Sequence, residues 1–119
     1  MERPSVRLVL AVSLDGRLAP ASGGAAQLGG AGDRHVLEQA LAWSDAVLIG
    51  AGTLRAHRCT CLIHEQPLLA QRKQDGRPLQ PTALVVSRSP DFCLEWPFFQ
   101  QKLERHLLTP DRLSVEGFS

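Results

Sequence analysis

An apolar run that ends in small residues is the feature that most constrains this chain. Residues 45–53, DAVLIGAGT, pass from a short aliphatic stretch into Gly50-Ala51-Gly52 and then into a hydroxyl at Thr53. A run of this length bounded by turn residues predicts a strand inside a sheet, which we place at Asp45 to Ile49. Glycines directly after such a strand either allow a ligand to approach the backbone or close a tight turn into a helix. Both interpretations stay open on this segment alone.

Other runs rich in Val and Leu predict three further strands. They lie in SVRLVLAV (5–12), PTALVVSRS (81–89) and ERHLLTP (104–110). Strands separated by segments of helix length predict an α/β sheet with parallel neighbours. In such sheets ligands bind beyond the carboxyl ends of the strands, where the small and polar residues of AVSLDG, IGAGT and VVSRS lie.

One helix is predicted between the first two strands. Asp33 is a plausible N-cap for residues 34–44, RHVLEQALAWS, and one apolar face would comprise Val36, Leu37, Ala40 and Leu41. The glycine-rich residues 20–32 are predicted to form a loop. Just before this loop, Asp15-Gly16 marks a turn. Residues 54–78 carry no clear pattern and are predicted to be irregular, and PDFCLEWPFF (90–99) is predicted to be a loop.

Composition favours a single globular domain and excludes several function classes. The 119 residues are 44% hydrophobic and 21% charged, and the net charge is +1 with scattered basic residues. With only 5% aromatic residues, a nucleic-acid surface has little support. No stretch approaches the roughly 20 apolar residues of a membrane span, and the amino terminus does not resemble a signal peptide. The odd count of three cysteines predicts reduced thiols and a cytoplasmic location.

The segment HRCTCLIH (57–64) raises a metal-site alternative. It holds His57, Cys59, Cys61 and His64 in one short window. Structural zinc sites usually have two to four residues between paired cysteines, whereas only one separates these. Alternation along a strand would also place His64 out of phase with the others. We therefore predict ordinary loop residues and no metal.

Three longer segments resemble a known family. RPSVRLVLAVSLDGRLA, followed by a glycine-rich loop, and then DRHVLEQALAWSDAVLIGAGTLRA and TALVVSRS are similar to the pyrimidine reductase of riboflavin biosynthesis. The resemblance covers nearly all of the chain. It implies an α/β, dihydrofolate-reductase-like three-layer sandwich with a mostly parallel sheet, and a homodimer. Because these reductases continue with a second half, residues 1–119 look like a single domain that lacks its C-terminal half.

The resemblance also implies an activity and a set of site residues. The activity is NADPH-dependent reduction of 5-amino-6-(5-phosphoribosylamino)uracil to its ribitylamino form. Ala11 matches the position whose backbone meets the nicotinamide end, and Ser87-Arg88 would grip the adenosine 2′-phosphate, a role that suits the planar fork of arginine. The implied cofactor-binding residues are Ala11, Gly50, Gly52, Thr53, His57, Ser87 and Arg88. Asp15 belongs to the same signature, and we assign it a structural role in the turn.

Departures from the family concern mainly the substrate side. His57 stands where the family has an acidic residue, and Leu41 replaces an arginine that binds substrate phosphate. Ala25-Ala26-Gln27 replaces the usual Ser-x-Trp. Two alternatives therefore stay open, a non-catalytic α/β module and a related reductase with another substrate.

Overall fold

The computed structural model describes residues 3–9, 31–110 and 115–119. In chain order these ranges contain helix α1 (Ala31–Trp43), strand β1 (Ala46–Gly50), helices α2 (Ala51–His57) and α3 (Gln66–Gln74), strand β2 (Thr82–Val86), a 3₁₀ turn (Pro97–Gln100) and strand β3 (Arg105–Leu108). The predicted turn at Asp15 and residues 20–30 of the predicted glycine-rich loop lie outside the described residues, whereas residues 31 and 32 of that loop begin α1. None of the helices in these ranges is long and apolar enough to cross a membrane.

The strands form one parallel sheet in the order β1-β2-β3. The register places Ile49 beside Val85 and Val85 beside Leu107. The predicted strands at 45–49, 81–89 and 104–110 are therefore confirmed to within a few residues, and so is their parallel arrangement. All three strands end at the same edge of the sheet, which is where the sequence places its small and polar residues.

The core lies on one face of this sheet. Ile49, Ala83 and Val85 are buried there together with Leu54 of α2 and Phe98 of the 3₁₀ turn. Residues of the same strands that point to the opposite face are more exposed, since side chains alternate along a strand. Leu48, Val86 and Leu108 on that face are 68%, 45% and 47% exposed.

Two helices occupy the segment that was predicted to be irregular. α2 follows β1 without a connecting loop, and α3 begins beside Pro67. Proline is well tolerated in the first turn of a helix, where its missing N–H needs no partner. The prediction was wrong because these helices have only seven and nine residues, too few for a clear periodic pattern, so tertiary contacts define them.

The start and the buried face of α1 also differ from prediction. The helix begins at Ala31, so Asp33 lies in its first turn and is not the N-cap. A carboxylate in that turn still interacts favourably with the free N–H groups. Val36 is 55% exposed, whereas Glu38 and Leu41 are buried at 3% and 5%. The apolar face was misjudged because a buried carboxylate takes a place that pattern analysis gives to hydrophobic residues.

Two further predictions need correction. Residues 5–9 of the predicted first strand are exposed and form no strand, and residues 10–12 lie outside the described residues. Residues with high β propensity form a strand only where a neighbouring strand supplies hydrogen bonds. Residues 5–9 have no such neighbour in the described ranges. The predicted loop at 90–99 runs into the 3₁₀ turn, where Phe98 is fully buried.

Candidate functional site

An open cleft lies at the carboxyl edge of the sheet. It has a volume of about 600 Å³ and is formed by α2 and by the segments that follow β2 and β3. The lining residues are Ala51, Arg55, Val86, Ser87, Arg88, Ser89, Leu108, Thr109 and Pro110. Because ligands of open parallel sheets bind outside this edge, we take the cleft as the candidate site.

The first wall of the cleft comes from the junction of β1 and α2. Gly50 is extended, with φ −75° and ψ 148°, and the helix begins at the next residue. Ala51 and Arg55 are four residues apart and therefore share a helix face, which lines the cleft. A Cβ atom added at Gly50 or Gly52 would meet nothing within 4 Å, and neither glycine adopts the left-handed conformation. The described chain thus has no packing or conformational need for glycine at either position.

The second wall is the loop after β2. The Ser87 hydroxyl donates to the Ser89 carbonyl at 2.7 Å and accepts the Ser89 N–H at 3.2 Å. The Ser89 hydroxyl in turn donates to the Asp91 carboxylate at 3.0 Å. These bonds fix the loop backbone in a compact turn. Arg88, between the two serines, is exposed and faces the cleft.

The third wall follows β3. The Ser87 N–H donates to the Leu108 carbonyl at 3.0 Å, which extends the β2–β3 ladder by one bond and brings the two loops side by side. The next residue, Thr109, has a buried hydroxyl oxygen with no hydrogen-bond partner among the described residues. A buried hydroxyl without a partner is unfavourable.

The electrostatic character of the cleft is positive. Arg55 and Arg88 are its charged lining residues, and no acidic residue is among the described residues that line it. Neither guanidinium makes a hydrogen bond or ion pair within ranges 3–9, 31–110 and 115–119, although Arg55 stacks on Phe92. Such a cleft favours an anionic ligand, and a guanidinium pairs well with phosphate oxygens.

The structure brings some of the predicted site residues together. Ser87 and Arg88 line the cleft, and Gly50 and Gly52 flank the lining residue Ala51. Thr53 and His57 are exposed on α2 and are not lining residues, and Ala11 lies outside the described residues. Sequence reasoning missed Arg55, Ser89 and Thr109. Arg55 lies one helical turn after Ala51, a spacing that indicates the cleft only once α2 is recognised as a helix.

The metal-site alternative concerns the segment after α2. In the described part of the chain, no group of three or more His, Cys, Asp or Glu side chains is placed to hold a metal ion. The cysteines Cys59, Cys61 and Cys93 are free thiols.

Comparison with known proteins first defines the class. A solved pyrimidine reductase-like protein from Corynebacterium diphtheriae matches with a TM-score of 0.67 and 24% identity, over 87% of this chain and 44% of that one. The two proteins therefore share a fold, and the predicted dihydrofolate-reductase-like α/β class is confirmed.

Sequence comparison then gives the family. The 2,5-diamino-6-ribosylamino-4(3H)-pyrimidinone 5′-phosphate reductase of Archaeoglobus fulgidus is 30% identical over 84 residues, which is 71% of this chain and 38% of that protein. The RibD C-terminal domain family matches residues 4–116, and the chain belongs to this family. The chain spans less than half the length of either relative.

Proposed function

We propose that this chain is part of a reductase that uses NADPH to convert 5-amino-6-(5-phosphoribosylamino)uracil to its ribitylamino form. The observation that carries the proposal is the positive cleft at the carboxyl edge of the sheet, lined by Arg55 and Arg88. Its position suits a nucleotide cofactor, and its charge suits phosphate groups. Membership of a reductase family supports the reaction type.

The cofactor would lie across the carboxyl ends of β1 and β2. When bound, NADPH supplies the hydride that reduces the ribosyl group to the ribityl chain. Arg88 would bind the 2′-phosphate, and Ser87 would hold the loop that presents Arg88. The open faces of Gly50 and Gly52 would let the cofactor approach the backbone. The family resemblance adds a backbone contact at Ala11. Thr53 and His57 would provide polar contacts from α2.

Two closely related pyrimidine phosphates are candidate substrates. The archaeal relative is named for a diaminopyrimidinone phosphate, which carries an amino group where the uracil compound has a carbonyl. Leu41, in the place of the family's phosphate-binding arginine, is 5% exposed and packs inside the protein. It cannot bind a substrate phosphate, so another residue must do so.

Titration of the chain with NADPH, followed by turnover assays with both pyrimidines, tests the proposal. We expect NADPH binding and its oxidation with one pyrimidine. NADPH binding without turnover of either pyrimidine would favour the non-catalytic module. No binding of NADPH would contradict the proposal.

A pair of glycine variants makes the binding test specific to the site. Gly52→Ala places a methyl group in open space on α2, so folding should be unchanged or slightly improved, by up to about 1 kcal/mol. If the cofactor approaches here, NADPH affinity should fall at least about tenfold. Gly76→Ala is the matched control, because its φ of +71° predicts lost stability with unchanged affinity for NADPH. Unchanged affinity in Gly52→Ala would remove this glycine from the site.

We also propose that the protein forms a homodimer and works in the cytoplasm. The free thiols of the described cysteines agree with a reducing compartment. Sedimentation equilibrium tests the dimer, and a single monomeric species at micromolar concentration would contradict it.

A further inference from the structure

Two guanidinium groups share the cleft, and none of the described residues that line it carries a carboxylate. Arg55 reaches the cleft from α2, and Arg88 reaches it from the loop after β2. Neither group has a hydrogen bond or ion pair within the described residues. Like charges that converge in one concavity repel each other, and an anion between them converts that repulsion into attraction.

An aromatic ring controls the position of the Arg55 guanidinium. Its central carbon lies 5.5 Å from the centroid of the Phe92 ring, within the range of a cation–π contact. Phe92 is itself held by edge-to-face contacts with Phe118 at 5.4 Å and Trp96 at 6.3 Å. The Phe92 ring therefore offers the Arg55 guanidinium a packed aromatic surface. Because Phe92 and Arg88 both belong to the loop after β2, this loop contributes to the position of both arginines.

We propose that Arg55, supported by Phe92, binds the 2′-phosphate of the cofactor together with Arg88 and so determines the preference for NADPH over NADH. This inference rests on the proposed function, to which it adds a second phosphate-binding residue. A phosphate monoester carries close to two negative charges at neutral pH, which matches two guanidinium groups. A single arginine would leave one of these charges without a strong partner.

A ligand pair isolates the 2′-phosphate. Adenosine 2′,5′-bisphosphate and adenosine 5′-monophosphate differ only in that group, and their affinities are measured by calorimetry beside those of NADPH and NADH. Arg55→Gln should weaken the bisphosphate and NADPH at least about tenfold and leave the other two ligands within twofold. Phe92→Leu should give a smaller loss of about threefold with the same selectivity. Arg58→Gln is the matched control, because Arg58 follows α2 but does not line the cleft.

The outcomes separate this inference from the function on which it rests. If Arg88→Gln abolishes the preference for NADPH and Arg55→Gln does not, the inference is wrong while the function stands. If the parent chain binds the bisphosphate through Arg55 but does not bind NADPH, the phosphate site is supported and the cofactor proposal fails. If the parent binds neither ligand, both are overturned. Circular dichroism of each variant ensures that a lost affinity is not a lost fold.

Discussion

Arginines lie at both ends of the parallel sheet, and the two pairs differ in what they bind. Near the amino ends of the strands, Arg72 and Arg77 donate to backbone carbonyls of the protein itself. At the carboxyl ends, Arg55 and Arg88 line a cleft and have no such acceptors in the described ranges. A guanidinium with its donors used inside the chain stabilises the fold, whereas one without acceptors is available to a ligand.

The amino-end pair closes the end of helix α1. Arg72 is only 2% exposed, and it donates to Pro78 O at 2.7 Å, Ala42 O at 3.0 Å and Ser44 O at 2.9 Å. Arg77 donates to Ala42 O and Ser44 O as well, and pairs with the Asp45 carboxylate at 2.7 Å. The last carbonyls of a helix have no partner within it, and positive charge is favourable there.

The largest effect is expected for Arg72→Met. The substitution removes three hydrogen bonds from a buried guanidinium. The Pro78 carbonyl loses its donor, whereas those of Ala42 and Ser44 keep Arg77. We expect the free energy of unfolding to fall by about 2–3 kcal/mol, since hydrogen bonds from a charged donor contribute about 1.5–3 kcal/mol. Urea denaturation measures this, and Lys73→Met, an exposed change on the same helix, is the control. A loss below about 1 kcal/mol would mean that the amino-end arginines are no more structural than those of the cleft.

A smaller effect is expected for Glu38, the buried carboxylate of α1. It accepts the backbone N–H groups of His64 and, at 2.9 Å, Glu65, just before α3 begins, and it pairs with Arg34 at 3.4 Å. The hydrogen bond from His64 outweighs the cost of burial and lowers the pKa of this carboxyl from its ordinary value. Glu38→Gln should therefore cost about 1–2 kcal/mol at neutral pH.

The same carboxylate should make the fold sensitive to acid. A lowered pKa in the folded state gives stability that is present above the ordinary glutamate value, about 4.3, and is lost as pH falls through the folded value. Between about pH 5 and pH 3, the parent should lose more stability than Glu38→Gln does. Equal acid profiles would show that other carboxylates dominate, and Glu95→Gln, an exposed change, is the control.

Sequence patterns predicted the carboxyl end of the sheet better than the rest. The strands at 45–49, 81–89 and 104–110 and their parallel order follow from short apolar runs, and parallel order then brings their ends to one edge. The segment VVSRS was placed at that edge for this reason, and the family resemblance then singled out Ser87 and Arg88 within it. Arg55 was missed because α2 was not predicted, so its place one turn after Ala51 had no meaning.

Contacts between side chains and distant backbone could not be predicted in the same way. The Gln80 amide bonds both the N–H and the carbonyl of Ile63, each at 2.9 Å. The Gln101 amide does the same at Thr60, at 3.2 and 2.9 Å. These glutamines fix the chain between α2 and α3, but their partners are backbone groups that every residue possesses. For the same reason, nothing in the sequence indicates that Arg72 is buried and bonded to backbone carbonyls.

Thr109→Val sharpens the comparison at the cleft. In the free protein, the substitution removes a buried hydroxyl without a partner in the described ranges and keeps nearly the same volume. We expect the free energy of unfolding to rise by up to about 1 kcal/mol or stay the same, since an unmatched polar group is unfavourable when buried. Lost stability in the free protein would show that Thr109 has a structural partner.

The smallest effect on stability is expected for Arg88→Gln, which tests the comparison most directly. The guanidinium has no acceptor in the described chain and shares the cleft with Arg55, so its removal relieves repulsion and breaks no internal bond. The free energy of unfolding should stay within about 0.5 kcal/mol of the parent. Any gain should be largest at low ionic strength, because salt screens the repulsion. Denaturation at two salt concentrations measures both quantities. A loss above about 1 kcal/mol is what the removal of a hydrogen bond to a carbonyl would cost. That result would give Arg88 a structural role like that of Arg72, and the two ends of the sheet would then not differ.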